Sequence, residues 1–219
     1  MSFEERVKIY KGQTSYVMRI CELTRELPIR KVGKDIWIAS NHNLVLGRDL
    51  EFTKRVSKEL ADRVSGFKPN CLFTAESKSL PLVYETANHL EHTWMCVARK
   101  ERKAYMGRPC LIEKIKSITT KKPQKLVLEL DEAKKLRGKR IVLIDDVVST
   151  YGTMGGLERL ARKAGGSVVC KATVWLEGPW YRGDLIYLSI LPVFVTEKKY
   201  NELKEKTFKN KIGNQEIVL

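Results

Sequence analysis

An α/β fold, with a central, mainly parallel β-sheet flanked by helices, is predicted by three observations. From residue 49 onward, short β-type runs alternate with stretches of helical periodicity. One run, RIVLI at Arg140–Ile144, is apolar without alternation, as a strand buried on both faces requires. No internal repeat, low-complexity tract or Ser/Gly linker divides the chain, so residues 1–219 read as one domain.

The elements follow in order. DIWIA (Asp35–Ala39) reads as a short strand. Asp49 caps a helix to Val64 that carries Leu50, Thr53, Val56, Leu60 and Val64 on one face. CLFTA (Cys71–Ala75) is strand, and Ser79 is placed to cap a helix to Leu90 with Pro81 in its first turn. TWMCVAR (Thr93–Arg99) returns as strand. After a polar, basic region from Lys100 to Lys116, the stretch Ser117–Leu130 reads as a hairpin around a KKPQ turn. Beyond RIVLI, TMGGLERLARKAG (Thr153–Gly165) sets Met154, Leu157, Leu160, Ala161 and Ala164 at helical spacing with Gly165 as the stop, and Ser167–Leu176 is strand. Such an alternation implies right-handed crossovers and ligand binding at the carboxyl ends of the strands.

Composition narrows the function classes. With 219 residues and 43% hydrophobic content the chain can bury one good core. The longest nearly uncharged apolar run, LIYLSILPVFV (Leu185–Val195), is too short for a bilayer and contains Pro192, so no membrane span is expected. The start, MSFEERVKIYKG, has no apolar signal core, and Cys21, Cys71, Cys96, Cys110 and Cys170 lack CxxC spacing; a reducing cytoplasm and unpaired thiols are expected. Lys and Arg number 41 against 26 Asp and Glu, a net charge of +15, which favours anionic partners without naming one.

The chemistry concentrates after RIVLI. Asp145 and Asp146 are followed by Ser149, Thr150, Tyr151, Gly152 and Thr153. A turn from a buried strand into a helix N-terminus offers unpaired N–H groups and the positive end of the helix dipole, which together hold phosphate. Carboxylates repel phosphate, so the acidic pair needs a target about a sugar away: ribose hydroxyls or a divalent metal. At a strand end the pair is expected to be exposed in the empty protein. A lone Asp there is as readily a solvated acid; the whole string fits a ribose 5-phosphate. No Walker loop GxxxxGK[ST] is present, and a phospho-receiver places its acids after the first strand instead.

VLIDDVVSTYGT resembles the PRPP-binding signature of the type I phosphoribosyltransferases, and the resemblance runs from about Cys71 to Trp175, nearest to the adenine phosphoribosyltransferases. It implies the fold of that family, with a core of about 36–176, a small hood lobe from 1–35, 177–219 or both, and a flexible β-hairpin loop. It also implies that Asp145 and Asp146 hold the ribose hydroxyls and, through PRPP, Mg²⁺, while Ser149–Thr153 wrap the 5-phosphate. AESKS (Ala75–Ser79) matches the pyrophosphate loop, with Glu76, Ser77 and Lys78 around the leaving group. VARKERKAY matches a basic segment whose Arg99 and Lys103 approach pyrophosphate, often across a dimer interface. Lys103–Lys125 corresponds to the loop that closes over the site. Tyr151 stands where the family usually has Gly, so the loop is expected to reach phosphate without a positive φ there.

The stretch from Trp175 to Phe194 is expected to build the hood, with Trp175, Trp180, Tyr181 and Phe194 available to stack on a purine and Glu177 or Asp184 to bond its edge. Ser149 aligns with a carboxylate of the 6-oxopurine enzymes and with a small residue of the adenine ones. The resemblance therefore implies a homodimeric, Mg²⁺-dependent enzyme that converts PRPP and adenine into AMP and pyrophosphate. The alternatives are a 6-oxopurine enzyme and a PRPP-sensing regulator that binds nucleic acid, the latter disfavoured because the loops keep their basic residues.

Overall fold

The computed structural model describes residues 2–115 and 124–213, the side chains only as far as Thr207 in the last helix. Two five-stranded sheets and a two-stranded hairpin carry the fold. The central sheet contains β5 (Cys71–Ala75), β6 (Cys96–Ala98), β9 (Arg140–Val148), β10 (Ser167–Glu177) and β11 (Ile186–Leu191), in the order β11-β10-β9-β5-β6, with all pairs parallel. β5 is buried along its whole length, and so is β9 from Ile141 to Asp146. Both faces of this sheet are therefore covered, which explains the unalternated apolar run.

Alternate residues of these strands enter different cores. Leu72, Val142, Ile144, Ala172 and Val174 pack toward helices α2 (Leu50–Ser65) and α3 (Leu80–His89), against Phe52, Val56, Leu60 and Val83. Cys71, Phe73, Ile141 and Leu143 pack on the other side with helices α4 (Leu130–Leu136) and α5 (Gly152–Lys163) and with the hairpin. A Cβ on Gly156 would lie 2.4 Å from Ile115 Cγ2, so the close seating of α5 on the hairpin depends on that glycine.

The hairpin differs from expectation. Its strands are β7 (Cys110–Ile115) and β8 (Gln124–Glu129), paired from Cys110↔Glu129 to Ile115↔Gln124. The first strand thus lies upstream of Ser117, inside the region read as merely polar and basic, because LIEKI alternates and keeps only Glu113 and Ile115 buried. The KKPQ turn falls mostly on residues 116–123, outside the described residues. The strand expected over Thr93–Arg99 shortens to Cys96–Ala98, and α4 was not foreseen, its seven residues being too few for a clear period.

The second sheet draws on both ends of the chain. It is made of β1 (Val7–Ile9), β2 (Ser15–Ile20), β3 (Leu23–Gly33), β4 (Ile36–Ala39) and only one C-terminal strand, β12 (Val193–Val195), in the order β1-β12-β4-β3-β2. Ile186–Leu191 instead extends the central sheet as its edge. The short helix α1 (Phe3–Arg6) and the last helix α6 (Glu197–Gly213) meet β1. No helix among the described residues is long and apolar enough to cross a membrane.

Candidate active site

The carboxyl ends of β5, β9 and β10 converge on a cleft of about 280 Å³. Its wall includes Glu76, Ser77, Lys78, Asp145, Asp146, Ser149, Thr150, Tyr151, Gly152, Thr153 and Glu177, eleven of the residues singled out from the sequence. Arg99, Lys103 and Asp184 are not part of that wall, and neither are Trp175, Trp180, Tyr181 and Phe194.

β9 continues through the acidic pair to Val148, so the two carboxylates are not exposed at a strand end: Asp145 is 9% and Asp146 5% exposed. The peptide groups there remain in the ladder, with Asp145 opposite Thr173, whose hydroxyl donates to the Asp145 carbonyl at 2.9 Å. Burial, reinforced by the neighbouring Asp146 charge, pushes the Asp145 carboxyl up to about 7.

Ser79 holds the pair together. Its hydroxyl lies 2.7 Å from Asp145 Oδ1 and 3.3 Å from Asp146 Oδ1, and accepts the Asp146 N–H at 3.1 Å. Its expected capping of α3 does not occur: Ser79 has helical backbone angles, and its side chain makes no cap bond. Serine at this position serves the carboxylates rather than the helix. Asn41, buried in the segment after β4, donates to Asp146 Oδ2 at 3.2 Å, and Lys78 Nζ lies 3.6 Å from the same oxygen. Both acids are buried, and Asp146 in addition meets polar side chains of two other chain segments, Asn41 and the Lys78–Ser79 turn.

At the next loop, Tyr151 occupies the N-cap of α5 with φ 69°, which overturns the expectation of a negative angle. A left-handed tyrosine is strained by about 1 kcal/mol or more and persists only where its surroundings hold it. Here its ring stacks on Tyr181 at 4.5 Å, with 7° between the planes, and its hydroxyl donates to Glu158 Oε2 at 2.5 Å. The φ value lies in the left-handed region that a glycine adopts readily. The first N–H groups of α5 at Gly152 and Thr153, with the hydroxyls of Thr150 and Thr153, sit at the cleft wall where an anion would meet the helix N-terminus.

The opposite side is the Ala75–Ser79 turn, whose Glu76–Ser77 peptide is cis. Glu76 points its charge at the basic segment: it accepts the Lys100 N–H at 2.7 Å and lies 2.8 Å from Arg99 Nε, an ion pair with poor hydrogen-bond alignment. Arg99 also bridges to Val127 of β8 through its backbone. Lys103 pairs with Glu101, away from the cleft. Lys100 does line the cleft, although the sequence reading passed over it for its neighbours.

Glu177 ends β10 and accepts a hydrogen bond from the Ser149 side chain; burial pushes its carboxyl up to about 7. Trp175 and Phe194 are core residues instead of base platforms: Trp175 stacks on Phe52 at 5.5 Å and donates to Met18 Sδ at 3.0 Å. Asp184 is exposed and meets Tyr181 only through its carbonyl. Sequence reasoning missed Ile38, Asn41, Ser79 in its carboxylate role, Lys100 and Gln124. Asn41 and Ile38 carried no signal, since they reach the cleft by tertiary packing of the second sheet.

A family model described as phosphoribosyl transferase domain matches residues 50–210. The chain belongs to the phosphoribosyl transferase family. Within it, the adenine phosphoribosyltransferases of Mycobacterium avium (strain 104) and Mycolicibacterium paratuberculosis (strain ATCC BAA-968 / K-10) are each 45% identical over 58 residues, which are 26% of this chain and 31% of theirs. The aligned segment therefore spans less than a third of the curated relatives. Among solved structures, adenine phosphoribosyltransferase from Thermoanaerobacter pseudethanolicus superposes with a TM-score of 0.61 at 19% identity, covering 75% of this chain and 95% of the other. The Saccharomyces cerevisiae enzyme, complexed with an imino-altritol bisphosphate and adenine, gives 0.57 at 12%, covering 74% and 93%. The fold is that of the type I phosphoribosyltransferases, and the cleft lies at the strand ends where this family carries the signature read in VLIDDVVSTYGT.

Proposed function

We propose that the chain transfers the 5-phosphoribosyl group of PRPP to adenine, giving AMP and pyrophosphate. The observation that carries this reading is the Asp145–Asp146 pair, clamped by Ser79 and facing the N-terminus of α5 across one cleft. Asp146 accepts ribose hydroxyls, and the Ser149–Thr153 turn takes the 5-phosphate with N–H and hydroxyl donors. Lys78 and Lys100 supply positive charge for the pyrophosphate as it leaves. Arg99 and Lys103 act at that group only if they exchange their partners Glu76 and Glu101, or from the neighbouring subunit of a dimer. Asp145, buried and held by Ser79, positions its neighbour.

No group of three or more His, Cys, Asp or Glu among the described residues could hold a metal alone. Two adjacent carboxylates of hard oxygen donors do fit Mg²⁺ that arrives on PRPP and keeps most of its ligands from substrate and water. When bound, that ion neutralises the pyrophosphate. The chain's own groups orient the sugar and screen its C1 from water.

Adenine is favoured by Ser149, which is small and cannot act as a carboxylate, and by the two curated relatives that bear that activity in their names. Ser149 instead donates to Glu177. A carboxyl that titrates near 7 in this position both donates and accepts at a purine edge, and Ile38 offers apolar surface beside it. The test is an assay with PRPP, Mg²⁺ and a panel of adenine, hypoxanthine, guanine and xanthine. Adenine with the highest kcat/KM is expected. A 6-oxopurine preference would overturn the base assignment, and turnover of none would overturn the reaction.

A further inference from the structure

A second cavity, of about 540 Å³, lies behind the cleft wall. Ser2, Phe3, Arg6, Tyr181, Arg182 and Tyr187 are among the residues that line it. Arg6 is only 8% exposed. Its Nε donates to the Gly178 carbonyl at 2.6 Å and its Nη2 to the Tyr181 carbonyl at 2.8 Å. Those two bonds leave other guanidinium N–H groups without a partner among the described residues. No carboxylate pairs with Arg6 or Arg182 among the described residues; Glu4, on the same wall, is engaged by Lys204 at 3.3 Å. A buried guanidinium faced by a second one is costly unless an anion joins them. Burial and the Arg182 charge together hold Arg6 below its ordinary value, as expected for two cations that share a cavity without a counter-ion.

We propose that this cavity is a second anion site, at which Arg6 and Arg182 together bind the phosphate of a small phosphorylated molecule, with the rings of Phe3 and Tyr187 flanking the remainder. The phosphate dianion fits because it accepts from two guanidinium forks at once. The cavity is also of a size that encloses a ligand as large as a nucleotide. One segment runs between this site and the cleft. Glu177 lines the cleft, the next residue, Gly178, gives its carbonyl to Arg6, and Tyr181 both binds Arg6 and stacks on Tyr151 of the phosphate turn.

The test follows the Arg6 Nε–H resonance of the full ¹⁵N-labelled chain during titration with inorganic phosphate and then with AMP, alongside the Gly152 amide as a reporter of the cleft. Arg6 is expected to shift saturably, with AMP giving the lower midpoint. In Arg182→Ser the Arg6 midpoint should rise about tenfold, the loss of one charge-assisted contact, while the Gly152 midpoint stays in place. An Arg6 signal that does not move with either ligand, or that moves with an unchanged midpoint in Arg182→Ser, overturns the second site. Because Arg182 is exposed, that variant keeps the fold. Arg6 shifting while Gly152 stays silent would count against the phosphate turn of the proposed function and leave the second site standing.

Discussion

The two five-stranded sheets contribute to the cleft in opposite ways. The parallel sheet brings three strand ends to one edge because its strands all end on the same side, so Lys78, Asp146 and Glu177 meet although they are far apart in sequence. The other sheet, mostly antiparallel, sends its loops to both ends and places only Ile38 and Asn41, from β4 and the segment after it, at the cleft. The family match begins at Leu50, after the first four strands of that second sheet. The groups assigned to sugar and phosphates thus belong to the shared parallel sheet. The second sheet adds Ile38 and Asn41 to that shared cleft.

The largest expected effect breaks the parallel half of this division. Asp146→Asn keeps the shape and the Asn41 and Ser79 neighbours but removes the charged acceptor, worth about 1.5–3 kcal/mol for each hydroxyl it holds. We expect kcat/KM for PRPP to fall by about a hundredfold or more, with an unfolding midpoint no lower than the parent's, since a buried charge has gone. Turnover within a few-fold of the parent would remove Asp146 from the site.

Asn41 tests whether the second sheet is as independent as the comparison suggests. Its amide reaches Asp146 from outside the matched region. Asn41→Ala should raise the KM for PRPP about five- to tenfold, less than the full value of a hydrogen bond to a charged group because Asn41 acts through Asp146, with kcat changed less. Asn41→Asp should be worse than Ala, because it sets a like charge beside Asp146. An unchanged KM in both variants would confine sugar binding to the parallel sheet alone.

The alternation of β5, α3, β9, α5 and β10 was legible in the sequence because each carries many apolar side chains at a regular period, and the strand-to-helix turns held the recognisable chemistry. What was not legible has a physical pattern. Trp175 and Phe194 read as available to stack on a base, yet they fill the core, since an aromatic's composition does not say which face of a strand it leaves by. Ser79 read as a helix cap, and lost that role to two carboxylates 66 and 67 residues away. Tyr151 read as incompatible with a left-handed turn because local propensity was weighed without Tyr181 and Glu158, which hold it there.

Tyr151 gives the next, smaller effect. Tyr151→Phe keeps the stack on Tyr181 and deletes only the bond to Glu158, so the turn should lose about 1–2 kcal/mol of stability, and the KM for PRPP should rise by about threefold. Tyr151→Gly relieves the strained φ but forfeits both contacts, and should be the less stable of the two. Phe and Gly variants that unfold with the parent's midpoint would show that the parallel sheet shapes this turn by itself.

The smallest effect concerns Glu177, which ends β10 at the boundary between cleft and second cavity. Its carboxyl is pushed up to about 7 from an ordinary 4.5, chiefly by burial, so the folded chain holds a proton there that the unfolded chain releases above about 4.5. The sign follows directly. Below the ordinary value both states are protonated and burial carries no charge penalty. Between about 4.5 and 7 the unfolded state ionises first and stability falls as pH rises, and above 7 the folded state carries the full cost of an ionised, buried acid. Glu177→Gln removes the titration while preserving an acceptor for Ser149. The variant should therefore match the parent near pH 4 and exceed it near pH 8. Glu177 is only partly buried at the cleft, so solvent screens most of that cost and the gain should be about 1 kcal/mol, or about 3 °C in Tm for a chain of this size. Asp145 titrates in both proteins and cancels from the difference. A Tm gap that is constant with pH would show that Glu177 is ionised throughout and already paired, which would leave it an acceptor only at the purine edge.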